Sequence, residues 1–186
     1  MTEQAATPQL LALVHLFYPA LEQLGQFAPL AASDMPELAR RLLAHQQHMT
    51  VTVEAWQGVS VQVDVLARHE TATHYARKIL LRRSDSLQVV QFGIMRVNLP
   101  LLSSPVRAAI QKAAAPLGRV LLQHGVLTQV ELYDLWRILP AAELAGWLGA
   151  ATGEPLFGRT AGIDCDGARA VELLEIVAST PSAPPP

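Results

Sequence analysis

Two charged residues stand out because of where strand parity puts them. Read as a β-strand, the stretch around residue 77 places Tyr75, Arg77, Ile79 and Leu81 on one face. Near the C-terminal end, Val171, Leu173, Glu175 and Val177 share a face in the same way. Each face is apolar except for one charge. A charge turned toward a core must be paired or given a ligand, because an isolated buried ion costs several kcal/mol even after relaxation. The chemistry this suggests is that of a pocket. The planar guanidinium of Arg77 would grip a carboxylate through two parallel hydrogen bonds, and Glu175 would handle a proton or a hydroxyl beside it. A buried Arg77–Glu175 ion pair without a ligand, or a face exposed at its end, satisfies the same parity.

Other residue types carry weaker signals. His45 and His48 stand three apart near a helix end, but no third ligand and no H-E-x-x-H pattern accompany them. They read as exposed helix-end histidines, and no metal site is expected. Cys165 sits between two acids in a turn, a poor setting for a nucleophile, and as the single cysteine it can form no intrachain disulfide. Gly153, Gly158, Gly162 and Gly167 match neither phosphate-loop pattern. Ser103-Ser104 reads as a helix cap, and Arg82-Arg83 as a solvated strand end.

The elements that must position Arg77 and Glu175 follow from periodicity. Thr7-Pro8 starts a helix with Thr7 as cap, which Pro19 kinks or ends. Residues 25–32 form a connection. Asp34-Met35-Pro36-Glu37 starts a second helix through a D-x-x-E capping box. Thr50 to Trp56 is β-branched and alternating, so it predicts a strand, with Gln57-Gly58 as a tight turn. Strands are expected over residues 59–65, 74–83 and 87–98, the last two joined at Ser84-Asp85-Ser86. Helices are expected over residues 105–114, from Pro116, and from Thr128 through Leu139. A hairpin of residues 156–164 and 169–178, turning at Cys165-Asp166-Gly167-Ala168, closes the chain. Elements that come in blocks point to the α+β class, with one antiparallel sheet flanked by helices.

The composition sets limits. The chain has 186 residues, with 51% hydrophobic and 16% charged side chains, enough to fill a core and exclude disorder for most of it. A single domain over residues 1–180 is expected, followed by a disordered Pro-rich tail at 181–186. The formal net charge of −2 provides no basic field for a nucleic acid backbone. No apolar stretch approaches the length of a bilayer span, and the opening Met1-Thr2-Glu3-Gln4 lacks the character of a secretory signal. A cytoplasmic location is expected, and no helix-turn-helix is visible ahead of residue 35.

Several segments, in order, resemble the chorismate lyase (chorismate–pyruvate lyase) family and its wider relatives. Leu42-Leu43 followed by Met49-Thr50 resembles the family's helix end with its Met-Thr step. Tyr75-Ala76-Arg77-Lys78-Ile79-Leu80-Leu81 resembles the strand R-x-[IV]-L-L. Pro116-Leu117-Gly118-Arg119-Val120-Leu121 is similar to the P-L-G-R-x-L helix start. Leu156-Phe157-Gly158-Arg159 resembles L-[WY]-G-R, with Glu175 at nearly the family's distance. The similarity spans about residues 35–178.

The resemblance implies a single antiparallel sheet flanked by helices, with an internal ligand cavity. It implies an enzyme, a carbon–oxygen lyase that eliminates pyruvate from chorismate to give 4-hydroxybenzoate, a ubiquinone precursor, without metal or organic cofactor. Carried over, Arg77 would bind the ring carboxylate and Glu175 would meet the ring hydroxyl. Met49 would line the cavity, while Leu117 and Gly118 would offer backbone contacts near a small aromatic or cyclohexadiene carboxylate. There are departures from the pattern. Phe92-Gly93 stands where the lyases carry a polar or basic residue, which leaves the second carboxylate to Arg96 or Arg159. The closing hairpin is one residue longer, which makes Glu172 a rival to Glu175. The alternatives are a lyase giving 3-hydroxybenzoate, a relative that has lost activity, and a non-catalytic effector-sensing domain, as some bacterial transcription regulators of this fold possess.

Overall fold

A computed structural model describes residues 6–179. Helix α1 (Pro8–Val14) leads to strand β1 (Gly25–Pro29), and helices α2 (Glu37–Leu43) and α3 (Met49–Gln57) follow. Three long strands come next: β2 (Val61–Glu70), β3 (His74–Arg83) and β4 (Val89–Asn98). Helices α4 (Ser104–Lys112) and α5 (Leu117–Gln123) separate them from β5 (Thr128–Pro140). Helix α6 (Ala142–Leu148) and the hairpin of β6 (Leu156–Cys165) and β7 (Ala168–Val177) complete the described chain. The seven strands form one antiparallel sheet in the order β1-β5-β6-β7-β4-β3-β2. This is the α+β architecture, one antiparallel sheet flanked by helices, that the sequence predicts.

The sheet is covered on both faces, so its central strands are apolar in both parities. One face, carrying Leu80, Phe92, Ile94, Leu174 and Ile176, packs against α1 and α6. The other face supports two separate clusters. Met95, Val171 and Leu173 pack with residues of α4 and α5. Ile79, Leu81 and Val177 pack with residues of α2 and α3. The seam between these two clusters runs over the strand positions of Arg77 and Glu175.

Several elements differ from expectation. Residues 49–57 form a helix, not a strand. Its buried residues Met49, Thr50, Val53 and Gln57 fall on one helical face, and packing over the sheet outweighs β-branched propensity. Gly58 is the left-handed cap of that helix (φ 65°), not a hairpin turn. Residues 128–140 form a strand, not a helix. A bulge between Leu132 and Asp134 shifts the period-two pattern by one residue and so imitates helical spacing. Part of the expected connection at 25–32 is the short edge strand β1, and α6 lies where no element was expected. Thr7 caps α1, accepting from the Leu10 N–H, but α1 ends at Val14, well before Pro19. Asp34 does not cap α2, which begins after Pro36 without a side-chain cap. The Pro-rich segment 181–186 lies outside the described residues.

Candidate ligand site

Strand register brings the polar groups together. Arg77 on β3 pairs with Met95 on β4, and Ile79 pairs with Gly93. Gly93 pairs on its other side with Glu175 on β7, which in turn pairs with Arg159 on β6. Arg77, Gly93, Glu175 and Arg159 therefore share one face, the face beneath α3 and α5. Between that face and the two helices lies a cavity of about 40 Å³. Its roof is made by the starts of the helices, His48-Met49-Thr50 and Pro116-Leu117-Gly118. A Cβ at Gly118 would lie 3.2 Å from both His48 Cβ and Thr50 Oγ1, so glycine there lets the two helix starts close on each other. An Arg119–Glu54 ion pair links the same two helices. Met49, Leu117 and Gly118 all line the cavity, as do Arg77 and Glu175.

Glu175 is ion-paired, but with Arg159 and not with Arg77. Arg159 is fully buried and donates from Nε to Glu175 Oε2 at 2.8 Å. Its Nη1 donates to the His45 carbonyl at 2.9 Å and its Nη2 to the Gln47 carbonyl at 3.0 Å, with the Leu43 carbonyl at 3.4 Å. Arg159 is thus committed to Glu175 and to the backbone of the α2–α3 connection.

Arg77 is different. It is 1% exposed, and its Nη2 donates to the Ala115 carbonyl at 3.2 Å. Among the described residues its Nε and Nη1 are buried with no hydrogen-bond partner of good geometry, and the Tyr75 hydroxyl beside it is likewise unpartnered. Burial pushes the Arg77 pKa down, partly offset by the neighbouring Tyr75 phenol. Buried polar groups are nearly always satisfied, so a guanidinium with two idle nitrogens on a cavity wall is shaped for an incoming acceptor. Gln91 Oε1, on the same cavity wall, is likewise buried and unpartnered.

Three polar residues of the cavity lining escape the sequence reading. His48 is half-buried and donates to or accepts from Thr128 Oγ1 at 2.9 Å, and it lines the cavity rather than facing solvent. Thr50 enters the roof only because 49–57 is helical. Gln91 was accessible by parity, since it shares a face with Gly93 and Met95. Arg96 and Glu172 point to the opposite face, where they pair with each other at 2.8 Å, so neither reaches the cavity. Cys165 is buried, and burial, followed by Asp166 and Asp164, pushes its thiol up to about 11. No helix among the described residues is long and apolar enough to cross a membrane.

No protein-family model matches the chain, and no curated protein matches it. Solved structures do. PhnF from Mycobacterium smegmatis aligns with a TM-score of 0.51 at 16% identity, over 75% of this chain and 67% of that one. The effector domain of the same PhnF aligns with a TM-score of 0.50 at 16% identity, over 71% of this chain and 88% of that one. The ligand-binding domain of a putative GntR-family transcriptional regulator from Bordetella bronchiseptica aligns at 0.49 and 14% identity, over 64% and 86%. At these identities the likeness shows the fold alone. Membership in the chorismate lyase family and enzyme activity gain no support from it.

Proposed function

We propose that the chain is a small-molecule-binding, effector-sensing domain whose ligand is an aromatic or cyclohexadiene carboxylate held by Arg77. The observation that carries this reading is the pair of buried, unpartnered nitrogens on Arg77 at the cavity wall. Nε and Nη1 lie on different edges of the guanidinium, so a carboxylate satisfies one of them and brings the negative charge that the buried cation lacks. The surroundings suit a flat ring. Gly93 leaves the floor without a side chain, and Met49 and Leu117 supply apolar walls. Likeness to the effector domain of PhnF supports binding without chemistry as the role of this fold here.

A second reading is favoured by one observation. Glu175 borders the same cavity as Arg77, as elimination of pyruvate from chorismate to a 4- or 3-hydroxybenzoate would require. Against it, the Glu175 carboxylate is ion-paired through Oε2 with Arg159, which favours its charged form over that of a proton donor.

One experiment separates the two. The purified protein is titrated with 4-hydroxybenzoate by calorimetry and, separately, incubated with chorismate while hydroxybenzoate and pyruvate are followed. Binding that is lost in Arg77→Met, with no turnover of chorismate, is the expected result. Formation of both products would overturn the sensing reading in favour of the lyase.

A further inference from the structure

We infer that the cavity accepts a ligand with one negative charge and discriminates against a second, an inference that rests on reading the site as a carboxylate pocket. Four titratable side chains line the cavity: Arg77, Arg159, Glu175 and His48. The charge of Arg159 is matched by Glu175, and its other donors go to the carbonyls of the α2–α3 connection. His48 shares a hydrogen bond with Thr128 Oγ1, and burial together with the nearby Arg159 lowers its pKa, so it stays neutral at neutral pH. Among the described residues of the lining, Arg77 is left with a positive charge that no carboxylate matches.

A monocarboxylate cancels that charge. A dicarboxylate would bring a second anion into a largely apolar space where no second uncommitted cation stands among the described residues and which already contains the Glu175 carboxylate. An uncompensated charge there costs several kcal/mol. Arg96, the other cation the sequence offers for a second carboxylate, is on the far face of the sheet with Glu172. Strand register places one further unpartnered polar group on the same cavity wall. Gln91 pairs with Leu81, four positions along the ladder from the Arg77–Met95 pair, and offers its unpartnered Oε1. A neutral O–H or N–H donor satisfies that oxygen directly, whereas a carboxylate requires the amide to turn so that Nε2 faces it. The matching ligand is a flat monoacid with a neutral donor opposite its carboxylate. A dianion such as chorismate is mismatched.

The test uses pairs of the same shape that differ by one charge: 4-carbamoylbenzoate against terephthalate, and the smaller fumaramate against fumarate. Dissociation constants are measured by calorimetry at pH 7.5 on the full chain. The monoanion is expected to bind at least about tenfold tighter within a pair (about 1.4 kcal/mol). Glu175→Gln keeps an acceptor for Arg159 but frees its charge, so the variant should bind the dianion at least about tenfold tighter than the parent does. A dianion that binds the parent as well as its monoanionic twin overturns the inference, and this comparison stands even if the variant fails to fold. If none of the four compounds binds and 4-hydroxybenzoate is also silent, the carboxylate-pocket reading itself falls.

Discussion

Arg159 and Glu175 face each other across the β6–β7 ladder, and the buried guanidinium joins that carboxylate to the backbone of residues 43–47. Nε reaches Glu175 Oε2 at 2.8 Å, while Nη1 and Nη2 reach the carbonyls of His45 and Gln47. The connection that carries His48 into the roof is therefore held by a residue on the sheet. Arg159→Met leaves Glu175 buried without its partner, and it should lower stability by about 3–5 kcal/mol in urea unfolding. Hydrogen exchange should rise first in residues 43–50. An unchanged midpoint together with unchanged exchange there would show that the tie does not hold the roof.

Arg77→Met is expected to do the reverse. The substitution removes a buried charge whose Nη2 donates to the Ala115 carbonyl and whose other two nitrogens are idle. Losing that hydrogen bond costs about 1 kcal/mol, while relieving an uncompensated buried ion returns several. Stability should rise by about 1 kcal/mol or more, and binding of 4-hydroxybenzoate should drop by about two orders of magnitude. A site that exchanges stability for ligand binding in this way is recognised by running both measurements on one variant. A large loss of stability would mean that Arg77 is a structural residue.

Gly118→Ala tests the roof. The new methyl would sit 3.2 Å from His48 Cβ and Thr50 Oγ1, tighter than ordinary packing, so the starts of α3 and α5 must part. The expected cost is about 1–3 kcal/mol, with weakened ligand binding. Gly93→Ala is the contrasting variant. Its Cβ would lie 3.4 Å from Ile79 Cγ1, close to normal contact, and its methyl projects from the floor. It should leave the unfolding midpoint nearly unchanged while reducing affinity. If the two variants behave alike in both measurements, the roof-and-floor assignment is wrong.

What the sequence made legible was the part written in regular strand parity. β3 falls on the expected residues 74–83, and parity alone singled out Arg77 and Glu175 as inward charges on apolar faces. It could not name the partner of Glu175, because Arg159 reaches it through strand order, and strand order is not a local property. The two misread elements failed for opposite local reasons. Residues 49–57 carry β-branched side chains, yet their burial over the sheet selects the helix. Residues 128–140 carry an interrupted alternation, because a bulge changes parity midway. The first error mattered most for the site, since it hid the place of Thr50 in the cavity roof.

The histidines of the α2–α3 connection give the molecule a pH response of definite sign. His45 Nδ1 accepts from the Gln47 N–H at 3.1 Å and faces Arg159 Nη1 at 3.3 Å, which leaves the ring proton on Nε2, donating to the Leu42 carbonyl at 2.7 Å. A proton on Nδ1 would break the first contact and set a cation against the guanidinium. Burial first, then Arg159, lowers the pKa of both His45 and His48 below the ordinary 6.5. Above pH 6.5 neither the folded nor the unfolded chain binds these protons, and their contribution to stability is complete. As the pH falls below 6.5 the unfolded chain takes up protons that the folded chain refuses, so stability declines until the lower folded pKa values are passed. Urea unfolding at pH 7.5, 6.5 and 5.5 should show that decline within a range where carboxylates contribute little. The double substitution His45→Asn with His48→Gln should flatten it. A parent protein equally stable at pH 7.5 and 5.5 would mean that neither ring is held neutral by the fold.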